Sequence, residues 1–300
     1  MATLEMNTHI LAHEFDLLEA HSVEEAVALL ARHGGQAKIL AGGTDLLVQM
    51  KMERVKPPIV IWIGKIDALR QIREHEGLSL GALVSLYELQ KSVAVKEGYP
   101  VLHEAARSVS GTQIKVMGTV GGNLCNASPA SDSAPALLVL GGQVKLVSSR
   151  GARQVRLEEF FLGPGKTVLA PDELLTEVLL PLPVGGSAFL KIGRVAADLA
   201  KVSAAAWVRR EGGTVADCRI ALGSVAATPV RARQAEKALI GRPFSPALAE
   251  EAGRLVRGEI KPIDDIRSTA EYRLQVAGVL VRDALLAAWE RCSGGVMRHG

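Results

Sequence analysis

Two short glycine loops hold the residue types best suited to binding an anion: Ala41-Gly42-Gly43-Thr44-Asp45 and Thr119-Val120-Gly121-Gly122-Asn123. A glycine pair removes two Cβ atoms and admits positive φ, so consecutive backbone N–H groups can converge on one oxyanion. Each donor to a charged oxygen contributes about 1.5–3 kcal/mol, enough for two such loops to hold a diphosphate. Thr44 and Thr119 add hydroxyls and Asn123 an amide. A carboxylate facing a phosphate repels it, so Asp45 is expected to cap the helix that follows. Neither loop reads GxGxxG after a strand and GxxxxGK[ST] is absent, which argues against Rossmann and P-loop nucleotide sites. A single Gly-Gly pair is most often an ordinary turn; the signal lies in the two occurring together.

Other chemistry is weaker. Asp132, in the Ser/Pro-rich run after Asn123, either accepts hydrogen bonds from ribose-type hydroxyls or caps the helix APALLVL. Lys191 and Arg194 follow a Gly-Gly-Ser turn and either face an anion or lie on the surface. His9 and His13 are spaced as metal ligands, yet no third ligand accompanies them. Cys125, Cys218 and Cys292 are scattered without a CxxC pair, as reduced thiols are, and no base accompanies Cys125. There is no GxSxG elbow. No metal site and no catalytic residue is therefore assigned.

The elements that must position these loops follow from length and pattern. At about 150 residues per domain, 300 residues predict two domains. A net charge of +3 is too balanced for a nucleic-acid binder, and 4% aromatic content leaves little for base stacking. The opening MATLEMNTHILAHEF lacks the basic and apolar regions of a leader, and no run approaches 18 apolar residues, so a cytoplasmic chain without a membrane span is expected. Ser22 caps a helix VEEAVALLARH that Gly34 ends, and the strand AKIL then delivers the first loop. PIVIWIG at 58–64 is a strand, REHEG at 73–77 a hairpin turn, and Ser85 starts a helix. Turn formers at 183–187 mark a domain boundary. Beyond it, two alternating strands joined by EGG at 211–213 precede three helices, the second capped by Ser245 with Pro246 at its first position, the third by Ser268 with Glu271. Strands followed by helices indicate an α+β unit. Residues 1–178 hold 17 basic and 20 acidic side chains and residues 179–300 hold 18 and 12, so the second unit is +6. That excess is either a solvated surface or a face for an acidic partner.

The stretches AGGTDLLVQMK at 41–51 and GTVGGNLCNASPASDSAPALL at 118–138 resemble the FAD-binding medium subunit of the molybdenum hydroxylases, the second stretch very specifically. This family includes the flavin subunits of aerobic carbon monoxide dehydrogenase, bacterial xanthine dehydrogenase, nicotinate dehydrogenase and 4-hydroxybenzoyl-CoA reductase. The likeness extends through ELLTEVLLPLP and KIGRVAADLAKVSAA to the C-terminal hairpin and helices. It implies an α+β fold. A vanillyl-alcohol-oxidase (PCMH) type FAD-binding domain would occupy 1–182, as two α/β subdomains split near 56–62, with a smaller α+β domain of antiparallel sheet and helices over 187–290.

The resemblance further implies noncovalent FAD, its diphosphate on Ile39, Leu40, Ala41, Gly42, Gly43, Thr44, Asp45 and Leu46 and on Thr119, Val120, Gly121, Gly122 and Asn123. Asp132 matches an acidic residue near the cofactor, and Leu175 and Lys191 match positions lining the flavin or adenine. The implied partners are an iron-sulfur small subunit and a molybdenum large subunit, carrying two-iron two-sulfur clusters and the molybdopterin cofactor, in a dimer of heterotrimers. Electrons would pass from the clusters through FAD to NAD, oxygen or a quinone. A stand-alone FAD oxidoreductase and a non-redox scaffold subunit are the rival readings. Two departures stand out. Leu199 follows Asp198 where some relatives carry an aromatic residue able to cover the isoalloxazine, and the cysteine-bearing insertion of 4-hydroxybenzoyl-CoA reductase is missing.

Overall fold

Three short strands, Asp16–Glu19 (β1), Ala37–Leu40 (β2) and Ile59–Trp62 (β3), form a parallel sheet in the order β1-β3-β2. Parallel neighbours require crossovers, and the helices Val23–His33 (α1) and Leu46–Lys51 (α2) supply them. At the start of α1 the Ser22 hydroxyl accepts from the Glu25 amide at 3.1 Å and the Glu25 carboxylate accepts from the His21 amide at 2.8 Å. Gly34, at φ 53, ends the helix. Ala26, Val27, Leu30 and Ile61 form a small core of their own. The first glycine loop follows β2 directly, outside the carboxyl end of a parallel strand, where open α/β sheets present ligands. This computed structural model describes residues 11–182 and 184–292; His9 and Pro183 of the expected boundary lie outside the described residues.

The second layer is antiparallel. Ile72–Glu74 (β4) and Leu78–Gly81 (β5) form the expected hairpin, followed by helices Leu86–Lys91 (α3), Val93–Gly98 (α4), Pro100–Ser108 (α5), Thr112–Met117 (α6), Val120–Cys125 (α7) and Ser133–Val139 (α8). Then come Gln143–Ser148 (β6), Gly151–Arg156 (β7), the turn of helix Leu157–Phe160 (α9), the small ribbon Phe161–Gly163 (β8) and Lys166–Thr167 (β9), and Leu174–Leu180 (β10). The sheet order is β4-β5-β10-β6-β7. A reciprocal Ser85/Glu88 capping box starts α3. The core beneath is aliphatic, with Leu80, Leu102, Leu124, Leu137 and Leu146 fully enclosed. This accounts for a chain so poor in aromatics.

The last layer is a sheet of Gly186–Ile192 (β11), Val202–Glu211 (β12), Thr214–Gly223 (β13) and Val230–Arg231 (β14), with helices Arg233–Leu239 (α10), Pro246–Val256 (α11) and Ala270–Arg291 (α12). Gly212, at φ 58, makes the hairpin turn between β12 and β13. The alternation is buried on both faces: Ala204, Ala206 and Val208 pack with the helices, while Phe189, Ala205 and Ala221 join the core of the preceding layer. One expectation needs correcting. Thr269, not Ser268, caps α12, because the amides of Arg267 and Ser268 are drawn into a turn around the Asp265 carboxylate.

Arginines of the second unit pair with carboxylates both of their own unit and of the preceding layer. Arg242 pairs with Glu251 and Arg273 with Asp265, while Arg231 and Arg233 reach Glu158 and Arg291 reaches Glu104 in the preceding layer. Glu104 also accepts the Phe189 amide at 2.8 Å. Glu104→Gln, which keeps the shape and removes the charge, is expected to lower unfolding stability by about 1–2 kcal/mol, read as a shifted urea midpoint; an unshifted midpoint would show that this pair does not hold the layers together.

Candidate functional site

The two glycine loops meet. A Cβ added to Gly42 would land on the Met117 carbonyl, so only glycine lets the first loop lie against the segment leading into the second. Gly43 turns the chain at φ 73. Among the described residues, the amides of Gly42, Gly43, Thr44, Asp45 and Leu46 donate to no acceptor in the chain. Five consecutive N–H groups without partners on a partly open glycine turn are the kind of donor set that suits an anion. Ile39 and Leu40 lead into it from β2.

Asp45 behaves differently from expectation. It occupies the N-cap position of α2 but makes no cap hydrogen bond with its side chain. Its carboxylate is instead bonded by Thr44 and Asn126, while the surrounding protein strips water from it and raises its pKa on balance. Gln49 donates to the same Asn126 at 3.4 Å, stitching α2 to the end of α7.

The second loop also differs. Residues 120–125 form a helix rather than a nest, and Gly121 and Gly122 do not have positive φ. Thr119 is its N-cap, its hydroxyl oxygen accepting the Gly122 amide at 3.0 Å. The amides of Val120, Gly121 and Asn123 go to Val84, Ala82 and Thr119. The glycines are there for close approach: a Cβ on Gly121 would stand 2.7 Å from that of Ala82, and one on Gly122 would stand 2.9 Å from the Thr119 hydroxyl. Helix α7 is thereby pressed onto the end of β5.

Asn123 carries the site onward. Its side-chain oxygen accepts from the Ser131 and Ser133 hydroxyls at 2.5 and 2.6 Å, which fixes the amide; its NH2 group has no acceptor among the described residues. Between those serines lies Asp132. It too sits at a helix N-cap position without capping, because its Oδ2 accepts from Lys191 Nζ at 2.6 Å. Lys191 also donates to the Ser108 carbonyl at 2.9 Å. Both side chains are at least nine-tenths buried, and Asp132 Oδ1 has no hydrogen-bond partner. Burial pushes the Asp132 carboxyl up to about 6, against the opposing pull of Lys191.

Leu175 is separate from these polar groups, buried on β10 in the aliphatic core. The next residue, Thr176, is bulged out of the β10–β6 pairing, and its carbonyl accepts the Ala82 amide at 2.9 Å, behind Gly121. Arg194 is exposed and pairs with Asp198 at 3.6 Å, and Leu199 is 45% exposed. Burial pushes the Cys125 thiol up to about 12, so it is no thiolate near neutrality. A cavity of about 730 Å³ opens elsewhere, around Arg219, Arg231 and Glu236; two of its arginines, Arg231 and Arg233, are already paired with Glu158 and Glu236. The sequence reading singled out Asp132 and Lys191 separately and missed Ser108, Asn126, Ser131 and Ser133; the Ser-x-Ser flanks of Asp132 were the available signal.

Fold and site together define a flavin-binding protein of the vanillyl-alcohol-oxidase type. Residues 13–183 match the FAD binding domain in molybdopterin dehydrogenase, and residues 187–288 match the CO dehydrogenase flavoprotein C-terminal domain. The chain belongs to the FAD-binding medium subunits of the molybdenum hydroxylases. It is 35% identical over 282 residues to the carbon monoxide dehydrogenase medium chain of Hydrogenophaga pseudoflava, covering 93% of this chain and 98% of that one. The xanthine dehydrogenase FAD-binding subunit of Escherichia coli O157:H7 is 30% identical over 289 residues, 93% and 99% of the two chains. The solved carbon monoxide dehydrogenase of H. pseudoflava superposes with a TM-score of 0.90 at 36% identity over 93% of this chain and 98% of that chain. The cofactor is FAD and the chain is a subunit of an oxidoreductase. The site fits such a group: the unpartnered amides of the first loop suit a diphosphate, and the orphaned Asp132 oxygen suits a donor.

Gly42→Ala is expected to force the loops apart and lower FAD affinity at least tenfold in a fluorescence titration. Gly35→Ala, which meets no neighbour within 4 Å, should bind as wild type. The Asp132 carboxyl, raised above its unfolded value, makes the folded state bind more protons, so its contribution to stability falls as pH rises from about 4 to about 6. In the cofactor-free protein, Asp132→Asn should flatten that part of the stability–pH curve; an unchanged slope would place the titration elsewhere.

Proposed function

We propose that this chain holds one noncovalent FAD and is the electron outlet of a molybdenum hydroxylase complex. The diphosphate is assigned to the turn at residues 39–46 and the start of α7 at residues 119–123. Asp132 and Lys191 are assigned to the flavin end, and Leu175 to an apolar wall behind it. The FAD-binding unit is taken as 1–182, its two subdomains divided near 56–62, and the second domain as 187–290. The observation that carries this reading is the continuity of the polar groups: unpartnered amides at residues 42–46, the fixed Asn123 amide, and the buried Asp132–Lys191 pair with one free carboxylate oxygen.

When bound, FAD supplies exchange between one-electron and two-electron carriers. The chain's own residues bind and orient. The glycine turn offers amides without a facing carboxylate, since Asp45 is occupied by Thr44 and Asn126. Lys191 is fixed by Asp132 and the Ser108 carbonyl at the boundary between the two domains. No thiolate and no metal-ligating cluster is present among the described residues. In this reading the electrons come from another chain. The complex we propose joins an iron-sulfur small subunit and a molybdenum large subunit in a dimer of heterotrimers in the cytoplasm, with NAD, oxygen or a quinone as acceptor. Among the described residues no helix is long and apolar enough to cross a membrane. The relatives named as carbon monoxide, caffeine and xanthine dehydrogenase subunits support the class of complex without fixing its substrate.

Acid denaturation should release free FAD in a 1:1 ratio; flavin left on the polypeptide would contradict a noncovalent site. The purified chain should not be reduced by carbon monoxide, purines, aldehydes or N-heteroaromatic acids. Co-expression with its iron-sulfur and molybdenum partners should restore flavin bleaching by the complex's own substrate. Rapid bleaching of the isolated chain would favour a stand-alone oxidoreductase instead.

A further inference from the structure

Ser224, at the end of β13, stands at φ 63 and is buried. A serine keeps that conformation only where its surroundings over-determine it, and each of its polar groups reaches a different segment. Its amide donates to the Pro129 carbonyl at 2.7 Å. Its hydroxyl donates to the Ala200 carbonyl at 2.9 Å. Its carbonyl accepts from Arg273 Nη1 at 3.0 Å. Arg273 is itself buried and braced by Asp265 at 2.7 Å. Gly223, just before, lies so close to Pro135 that an added Cβ would stand 3.2 Å from its ring.

The segments it ties are the two that deliver the buried pair. Pro129 and Pro135 flank Asp132 in the chain. Ala200 ends the loop that leaves β11 just after Lys191, and that loop is closed at its base by the Lys201 amide on the Ile192 carbonyl at 2.8 Å. In these hydrogen bonds Ser224 contacts neither Asp132 nor Lys191; it holds the backbone leading to Asp132 and the far end of the loop that leaves β11, the strand on which Lys191 pairs with Ser203 of β12.

We propose that Ser224, backed by Arg273, is a positioning residue for the flavin site: it sets the separation between the 129–135 segment and the 193–200 loop, and so the geometry of the Asp132–Lys191 pair. This rests on the reading that the pair faces FAD. The serine hydroxyl is the only part of the node a mutation can remove while leaving its backbone bonds in place, so it is where the test falls.

The test is a double-mutant cycle in the full-length chain stripped of flavin, with FAD itself as the titrant and both fluorescence quenching and the visible circular dichroism of the bound flavin as readouts. Ser224→Ala should weaken FAD binding about five- to twentyfold and alter the dichroism. Asp132→Asn should also weaken it, and the double variant should bind within about threefold of Asp132→Asn alone, because residues acting through one another are not additive. Effects that multiply would overturn the proposal and leave Ser224 a purely structural residue. Ser224→Gly loses the same hydroxyl but relaxes the positive φ, so it should melt higher than Ser224→Ala while binding FAD no better, and it serves where the alanine variant does not fold. Wild-type affinity in Ser224→Gly would also overturn the proposal. Unchanged affinity in Asp132→Asn, or no FAD binding by the wild-type chain, would bring down the site reading together with this one, whereas failure of the cycle alone would leave the site reading standing.

Discussion

The contact between Gly42 and the Met117 carbonyl governs the geometry of this protein. It seats the loop after β2 of the three-stranded parallel sheet on the end of α6 in the antiparallel layer, and the two layers also share a core where Leu83 and Leu174 join Ala26, Leu30 and Ile61. At that point neither side has a side chain to spare. The loop after β2 offers a bare Cα, and the chain between α6 and α7 offers a carbonyl and Gly118, whose own amide and carbonyl are bonded to Ile114 and Leu86. The Asp45–Asn126–Gln49 cluster stitches the same seam with polar contacts. Separating these backbones by even one methyl group would move the unpartnered amides of residues 42–46 away from Asn123.

The third layer closes the site from the other side. Its sheet carries alanines on both faces, so α5 and α8 can pack on one while the C-terminal helices pack on the other. Gly253 and Gly278 allow α11 and α12 to approach closely, since a Cβ on either would strike the backbone of the other. The acidic bias of residues 1–178 and the basic bias of residues 179–300 are complementary, and Glu104 and Glu158 are where they meet. Exposed ion pairs contribute little individually. The half-buried Arg291–Glu104 pair, which also bonds the Ser187 and Phe189 backbone, sets orientation more than it adds stability.

Much of this was legible because it is local. Ser22, Ser85, and Ser245 with Pro246 announce helices through local signals, and β2 running into Gly42 places the first loop without reference to the rest of the chain. What failed was also local, yet decided at long range. Asp45 was expected to cap α2 and is drawn away by Asn126 far along the chain; at Asp132, where capping was one of two open readings, Lys191 takes the carboxylate instead. The Gly121–Gly122 pair was expected to free amides through positive φ, whereas the close approach to Ala82 at the end of β5 takes the Gly121 amide and the Thr119 cap takes that of Gly122. Ser224 left no trace at all, because a serine after a strand-ending glycine is an ordinary turn until Pro129, Ala200 and Arg273 arrive around it.

The polarity of the site follows from which groups remain unpartnered. At the first loop they are donors, a run of amides with no acceptor; at Asp132 the unpartnered atom is an acceptor, in a carboxylate whose other oxygen is held by a cation. A ligand that spans them must carry an anion at one end and a hydrogen-bond donor at the other, with Asn123 between. Reversing it would set phosphate against a buried carboxylate and leave the amides facing a neutral ring, two penalties of the same sign. On the assignment proposed above, the arrangement would select a direction as well as a ligand class, with backbone groups and one buried ion pair rather than with any long side chain free to move.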